Sequence, residues 1–332
     1  MSLKQRSRRG SGRPTLSDVA GLAGVGTITV SRALREPERV SPELRERIDT
    51  AVRDLGYVLN PNARALASVR ADVIGVLIPS MTNNVFSEVL RGIHDGLGDS
   101  PLQIQFGNTH YSEREEERLL RVFLSQHPSA LIISGIDQTS STRRLLEAAD
   151  CPVVQIMEIG PDPIDMMIGF SHFEAGKSAT KHLIDAGRKR IGFIGARMDP
   201  RSSRRLAGYR SAMQEAGYFD SRLVTTTITP SSVTMGMKLF HQAIEREPNL
   251  EAVVCNNDDI ALGVLFACNR AGLAVPERIS IVGFNDFEMM EVAYPPLTSI
   301  RTPRSTPSPS VIRRTPANCD NWPVCAARSR RV

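Results

Sequence analysis

Apolar positions along this chain change their period once, and the change divides it. From Thr15 they recur at helical spacing in short pieces. Thr15 is placed to cap a first helix with Asp18 in its opening turn and Leu16, Val19, Ala20 and Ala23 on one face, and Gly24-Val25-Gly26 breaks it. A second helix over Thr27 to Leu34 turns Ile28 or Val30, with Leu34, inward and leaves Thr27, Thr29, Ser31 and Arg32 outside. A third has Ser41 as N-cap, Pro42 at N1, Leu44, Ile48, Ala51, Val52 and Leu55 at helical spacing, and Gly56 as its stop. Short helices around a tight glycine-containing turn form a helix-turn-helix, braced by the third.

From Asp72 the rhythm becomes that of a parallel α/β sheet. Apolar runs at Val73 to Ile78, Leu102 to Phe106, Ala130 to Ser134 and Pro152 to Met157 read as strands, separated by helices over Phe86 to Leu97, Glu113 to Gln126 and Thr142 to Ala149. A second series follows: helix Phe173 to Ala186, strand Arg190 to Gly195, helix Ser202 to Ala216, strand Val224 to Thr229, helix Thr234 to Glu245, strand Ala252 to Cys255, helix Asp258 to Ala271, strand Ile279 to Phe284. Two similar lobes imply a cleft between them. In such folds ligands bind beyond the carboxyl ends of the strands. The candidates are therefore Ser80, Asn83 and Phe86, then Glu158 and Phe170 at the crossing, then Asp199, Arg201, Arg205, Asn257, Asp258 and Asn285, with Asp286 beside it. Each alone is more often a loop cap or turn residue, but their recurrence at strand ends favours a polar pocket.

Charge sharpens this division. The net charge of +5 conceals 13 Lys and Arg against 7 Asp and Glu in residues 1–70, 21 against 28 in 71–300, and 7 against 1 in 301–332. A basic first segment suits phosphate contact and counterion release, and an acidic middle does a different job. The start, Met1 to Pro14, has no apolar h-region and no stretch reaches about 18 uninterrupted apolar residues, so a cytoplasmic protein without membrane contact is expected. Cys151, Cys255, Cys268, Cys319 and Cys325 form no C-x-x-C pair and read as buried or incidental thiols. No cofactor or metal is expected. No G-x-x-x-x-G-K-[ST], G-x-S-x-G or H-E-x-x-H occurs, and the histidines lack ligand spacing, which argues against an enzyme. His172, near the expected cleft, reads as a hydrogen-bonding residue.

Base edges present an unambiguous donor and acceptor pattern only in the major groove, which is where a reading helix must go. Arg32 is the natural guanine reader, Thr27 and Thr29 suit thymine or phosphate, and Ser31 suits phosphate. By itself such a trihelical piece also fits a protein interaction module. Thr15-Leu-Ser-Asp-Val-Ala-Gly-Leu-Ala-Gly-Val, Thr29-Val-Ser-Arg-Ala-Leu, Arg39-Val-Ser-Pro-Glu-Leu-Arg and Leu55-Gly-Tyr-Val-Leu-Asn-Pro-Asn-Ala-Arg-Ala-Leu closely resemble the headpiece of the lactose-repressor (LacI-type) family. The resemblance implies that the helix beginning at Thr27 reads an operator, with Thr27, Ile28 and Arg32 on the bases and Thr15 and Leu16 completing the DNA-facing set. Gly26 stands where the family has a Ser or Thr cap, at a cost of a few tenths of a kcal/mol. Asn60-Pro61-Asn62-Ala63-Arg64-Ala65-Leu66-Ala67 has a cap and an N1 proline but is too short to be stable alone. In that family it is the hinge helix, with Asn60 and Arg64 toward DNA and Leu66 wedged into the minor groove. An ordinary linker is the plain alternative.

The same resemblance runs to about Arg304 and implies a core of the periplasmic-binding-protein-like (type I) fold. Ile74 to Phe86, Gly169-Phe-Ser-His-Phe-Glu-Ala-Gly and Gly195-Ala-Arg-Met-Asp-Pro-Arg201 are most similar to gluconate-utilisation repressors. They imply a sugar-acid effector, gluconate or its 6-phosphate, with Arg201 or Arg205 pairing the carboxylate and Asn257 and Asp258 taking hydroxyls. Asn285 stands where many relatives have an aspartate, which argues against a neutral hexose or nucleoside. The expected organisation is a basic arm (1–13), headpiece (14–59), hinge (60–71), two-lobed core (72–304, lobes about 72–168 and 169–299) and tail (305–332), acting as a homodimer or higher assembly on a pseudo-palindrome of double-stranded DNA. The tail carries four prolines, five arginines, two of the cysteines and the only tryptophan without any period. It reads as coil following a reading-frame change near Ser305. A soluble sugar-binding protein is the competing reading, and it leaves the basic headpiece without a task.

Overall fold

The computed structural model describes residues 14–58 and 71–302. The arm, Asn60, Arg64 and Leu66 of the expected hinge, and the tail from Ser305 lie outside the described residues. The chain forms two compact units, one ending at Ala71 and one beginning at Asp72.

The first unit is all helical: α1 (Leu16–Ala23), α2 (Thr27–Arg35) and α3 (Pro42–Leu55). Thr15 and Asp18 close a reciprocal capping box at the start of α1, and Gly24 and Gly56 end α1 and α3 with φ of 64° and 60°, a region closed to most side chains. Ser41 makes no side-chain cap, so Pro42 at N1 is what starts α3. Val19, Ala20 and Ala23 meet Val30, Ala33, Ile48 and Ala51 in one small core. Ile48 has no exposed surface, and full burial of such a side chain stabilises by about 1.5–3 kcal/mol.

The second unit contains two parallel five-stranded sheets. In the first, β1 (Ala71–Ile78), β2 (Gln103–Asn108), β3 (Pro128–Ser134), β4 (Val153–Ile156) and β5 (Met166–Ile168) lie in the order β2-β1-β3-β4-β5. In the second, β6 (Ile191–Ala196), β7 (Val224–Thr227), β8 (Ala252–Cys255), β9 (Ser280–Asn285) and β10 (Thr298–Arg301) lie in the order β10-β9-β8-β6-β7. The connecting helices are α4 (Asn84–Leu97), α5 (Glu113–Leu124), α6 (Ser140–Glu147), α7 (His172–Asp185), α8 (Pro200–Glu215), α9 (Val233–Arg246), α10 (Asp258–Arg270) and the short α11 (Glu288–Val292). Parallel sheets covered by helices are buried on both faces, hence the continuous burial of Ile191 to Ala196 and of Ala252 to Cys255.

Elements differ from their sequence expectation where local chemistry intervenes. The strand at Pro152 to Met157 shortens because Pro152 has no N–H to pair and Met157 turns to φ 76°. The strand at Val224 stops early because Thr227 Oγ1 accepts from Thr229 N at 3.2 Å. α8 starts two residues before Ser202, since Asp199 caps it and Pro200 occupies N1. β5, α11 and β10 were not anticipated.

Two helix pairs approach closely. A Cβ on Gly176 of α7 would lie 2.3 Å from the Arg205 carbonyl of α8, and one on Gly208 would lie 2.0 Å from the Phe173 carbonyl. Gly236 and Gly263 join α9 to α10 in the same way. The first contact fixes the height of α8, which carries the arginines described below.

Among the described residues no helix is long and apolar enough to cross a membrane. Cys151, Cys255 and Cys268 are buried free thiols.

Candidate functional site

Two surfaces carry the candidate chemistry, one on each unit. On the first, the alternative left open by periodicity resolves: Val30 is fully buried, while Ile28 is 75% exposed. Thr27, Ile28 and Arg32 thus face outward from α2, with Thr29 and Ser31 half-buried beside them. Gly26 caps α2 through its backbone only. The Arg47 guanidinium donates to the Ala23 carbonyl at 2.6 Å and locks α3 to the end of α1, so the outward row on α2 is held by a rigid frame. Thr15 is exposed but its hydroxyl is engaged with Asp18 at 2.7 Å, an interaction that holds the Asp18 carboxyl below its usual range. Leu16 packs against the small core.

On the second unit, a cavity of about 210 Å³ opens between the two sheets at the carboxyl ends of their strands. Its lining includes Ser80, Asn83, Phe86, Phe170, Asp199, Arg201, Arg205, Asn257 and Asn285. Asn83, Asp199 and Asn257 each cap the helix that follows (α4, α8 and α10), so local helix starts bring these side chains to the rim. Asn257 Nδ2 also donates to Ser231 Oγ at 2.7 Å.

Arg205 is the most constrained group in the cavity. Its Nε donates to His172 Nδ1 at 3.2 Å, one terminal nitrogen donates to the Asn256 carbonyl, and its Cζ lies 3.7 Å from the centroid of the Phe284 ring. Burial lowers its pKa to about 10, which still leaves it charged at neutral pH. His172 Nε2 donates in turn to the Met157 carbonyl at 3.2 Å, which fixes the neutral tautomer. Burial first, and then the neighbouring Arg205 and Arg201, push the His172 pKa well below its ordinary range. Arg201 reaches Ser134 Oγ of the first sheet at 3.1 Å and lies 5.6 Å from the Phe86 ring. Arg197, directly after β6, stacks on Tyr111. Three guanidinium groups therefore converge on the cavity, with Asp199 and Asp259 as its carboxylates. Asp199 is already occupied, by Ser202 N at 2.8 Å. Such a site favours an anionic ligand carrying hydroxyls.

Two expected ligand residues lie elsewhere. Glu158 is 1% exposed and is held by Arg204 at 2.9 Å, and burial raises its carboxyl to about 7. Asp258 has no exposed surface and accepts from Ser299 Oγ at 2.6 Å and from Phe287 N at 2.8 Å, tying the start of α10 to β10 and to the loop after β9. Both follow a strand, yet both point into the protein rather than into the cavity. Tyr111, Arg197, Ser202, Ser231 and Asp259 line the cavity and were not among the expected residues. The rule that placed the others applies equally to Arg197, the residue next after β6. Among the described residues no group of three His, Cys, Asp or Glu side chains could hold a metal ion.

The chain is similar to known proteins over both units. Residues 15–60 match the model of bacterial regulatory proteins of the lacI family, and residues 180–306 match a periplasmic binding protein-like domain. The HTH-type transcriptional regulator GntR of Pseudomonas aeruginosa is 44% identical over 90% of this chain and 87% of its own. A LacI-family transcriptional regulator from Silicibacter pomeroyi superimposes with a TM-score of 0.81 at 37% identity, covering 87% of each chain. The lac repressor dimer bound to operator and an anti-inducer superimposes with a TM-score of 0.72 at 26% identity, again over 87% of each chain.

Proposed function

Because the chain belongs to the lacI family of bacterial regulatory proteins, DNA-binding transcriptional regulators and not enzymes, we propose that it represses its target genes as a cytoplasmic homodimer and that a small sugar acid relieves the repression. The lac repressor it resembles is a dimer on operator DNA. In this reading α2 enters the major groove of each half-site, where Arg32 reads guanine, Thr27 and Ile28 meet base edges, Thr29 and Ser31 face phosphate, and Thr15 and Leu16 flank the backbone. Asn60, Arg64 and Leu66 act at the minor groove in the segment between the units.

The observation that carries the effector class is Arg205: a charged guanidinium pinned on three sides in a cavity that also holds amides, hydroxyls and two further arginines against two carboxylates. A carboxylate neutralises that cluster, and Asn257, Asn285 and Ser80 take the hydroxyls of the same molecule. Gluconate and 6-phosphogluconate are the ligands that fit this chemistry and the resemblance to GntR. Calorimetric titration of the full chain with both acids and with glucose tests the class. The acids bind and glucose does not; a glucose affinity equal to that of the acids would overturn it.

A further inference from the structure

The cleft contains a second cavity, of about 290 Å³, that shares a wall with the first. Tyr111, Arg197, Asp199 and Arg201 line both. At that wall the Arg197 guanidinium lies 4.2 Å from the centroid of the Tyr111 ring. This contact spans the two lobes, since Tyr111 follows β2 in the first sheet and Arg197 follows β6 in the second. Neither residue is glycine, yet both have left-handed backbone, with φ of 59° and 47°, and His110 beside Tyr111 has φ of 52°. Such conformations are strained for residues other than glycine and persist only where surroundings fix them. Here Arg197 N donates to the Thr229 carbonyl at 2.8 Å, and the backbone on each side aims one side chain across the gap.

The two cavities differ in chemistry. The inner one holds the arginine cluster. The outer one adds Glu113, Glu116, Asp137 and Gln138, with Met198 and the 90% exposed Ile228 as apolar surface. Carboxylates and an amide beside apolar surface suit the hydroxyls and ring face of a neutral sugar unit.

We propose that Tyr111 and Arg197 are specificity-determining residues: their stack confines the effector to a single sugar-acid unit in the inner cavity and shuts off an outer subsite fitted to a neutral glycosyl unit. This rests on the reading of the cleft as a sugar-acid site. Removing the ring opens the wall and admits a longer acid.

The test uses the full chain in calorimetric titrations with gluconate and with cellobionate, the same aldonic acid extended by one neutral glucosyl unit. The variants are Tyr111→Asn, since asparagine tolerates left-handed backbone, Arg197→Asn as an independent opening of the same wall, and Tyr111→Phe, which keeps the ring. The wild type is expected to prefer gluconate by at least tenfold, roughly what steric exclusion in a pocket supplies. Tyr111→Asn and Arg197→Asn are expected to shift the gluconate to cellobionate affinity ratio about tenfold toward cellobionate, and Tyr111→Phe to leave it in place. A wild type that binds both acids equally, or an unaltered ratio in both asparagine variants, overturns the inference alone. A wild type that binds no aldonic acid overturns the reading of the cleft, and this inference with it.

Discussion

Replacing His172 by leucine removes one acceptor and one donor from a fully buried position. The imidazole has no exposed surface, accepts from Arg205 Nε at 3.2 Å and donates to the Met157 carbonyl at 3.2 Å. Leucine is of comparable size, so packing against Phe170 and Phe284 changes little. The unsatisfied guanidinium N–H and carbonyl each cost about 1–3 kcal/mol, or roughly 2–6 kcal/mol for the pair. The freed Arg205 must then be re-ordered on binding, and the sugar-acid affinity falls by about tenfold. His172→Gln supplies an amide oxygen for Arg205 and an amide N–H for Met157, and should recover most of both losses. Urea unfolding and calorimetry at pH 8 measure the two effects. A leucine variant as stable and as responsive as the wild type, or a glutamine variant no better than leucine, would refute the reasoning. The pH dependence gives a second check, because His172 titrates well below its ordinary 6.5 in the folded protein. Below that pH the unfolded chain binds a proton that the folded chain refuses, so stability falls with pH at up to about 1.4 kcal/mol per unit. The wild-type profile minus the His172→Gln profile should show that slope below pH 6.5 and none above it.

Three further outcomes follow from named contacts. Arg32→Ala should lower operator affinity by about 1–3 kcal/mol while sparing random-duplex binding, which competition gel shifts at fixed salt will show. Gly176→Ala places a Cβ 2.3 Å from the Arg205 carbonyl and should both destabilise the second unit by about 1–3 kcal/mol and blunt the effector response, measured by thermal unfolding and titration. Glu116, whose carboxyl burial raises from 4.5 to about 7, keeps its proton in the folded state through a window where the unfolded chain has lost it. Stability contributed by this group is lost as pH rises from about 4.5 to 7, and the loss should vanish in unfolding curves of Glu116→Gln.

The sequence carried the architecture further than the site. Helix stops at Gly24 and Gly56 and the paired rhythm of strands and helices were readable because glycine at positive φ and fully buried parallel strands leave local marks. β5 was missed because it is three residues of an edge strand, too short to show a period. At the cleft, position after a strand brought the cavity residues together but could not give side-chain direction. Asp258 follows β8 yet turns inward to Ser299, 41 residues later, and Glu158 turns to Arg204, 46 residues later. Those partners exist only once the chain has folded. Arg197, the residue next after β6, is reachable by the same positional rule, but the left-handed φ of 47° that aims it across the cleft has no local mark in its neighbours.

The most direct test of effector-controlled DNA binding is fluorescence anisotropy on a duplex that the full chain has selected from random sequence, titrated with and without gluconate and 6-phosphogluconate, for the wild type and for Arg205→Met. At least one acid should weaken wild-type binding about tenfold or more and leave Arg205→Met unmoved. An acid-insensitive wild type, or an Arg205→Met variant that responds as the wild type does, would contradict the account.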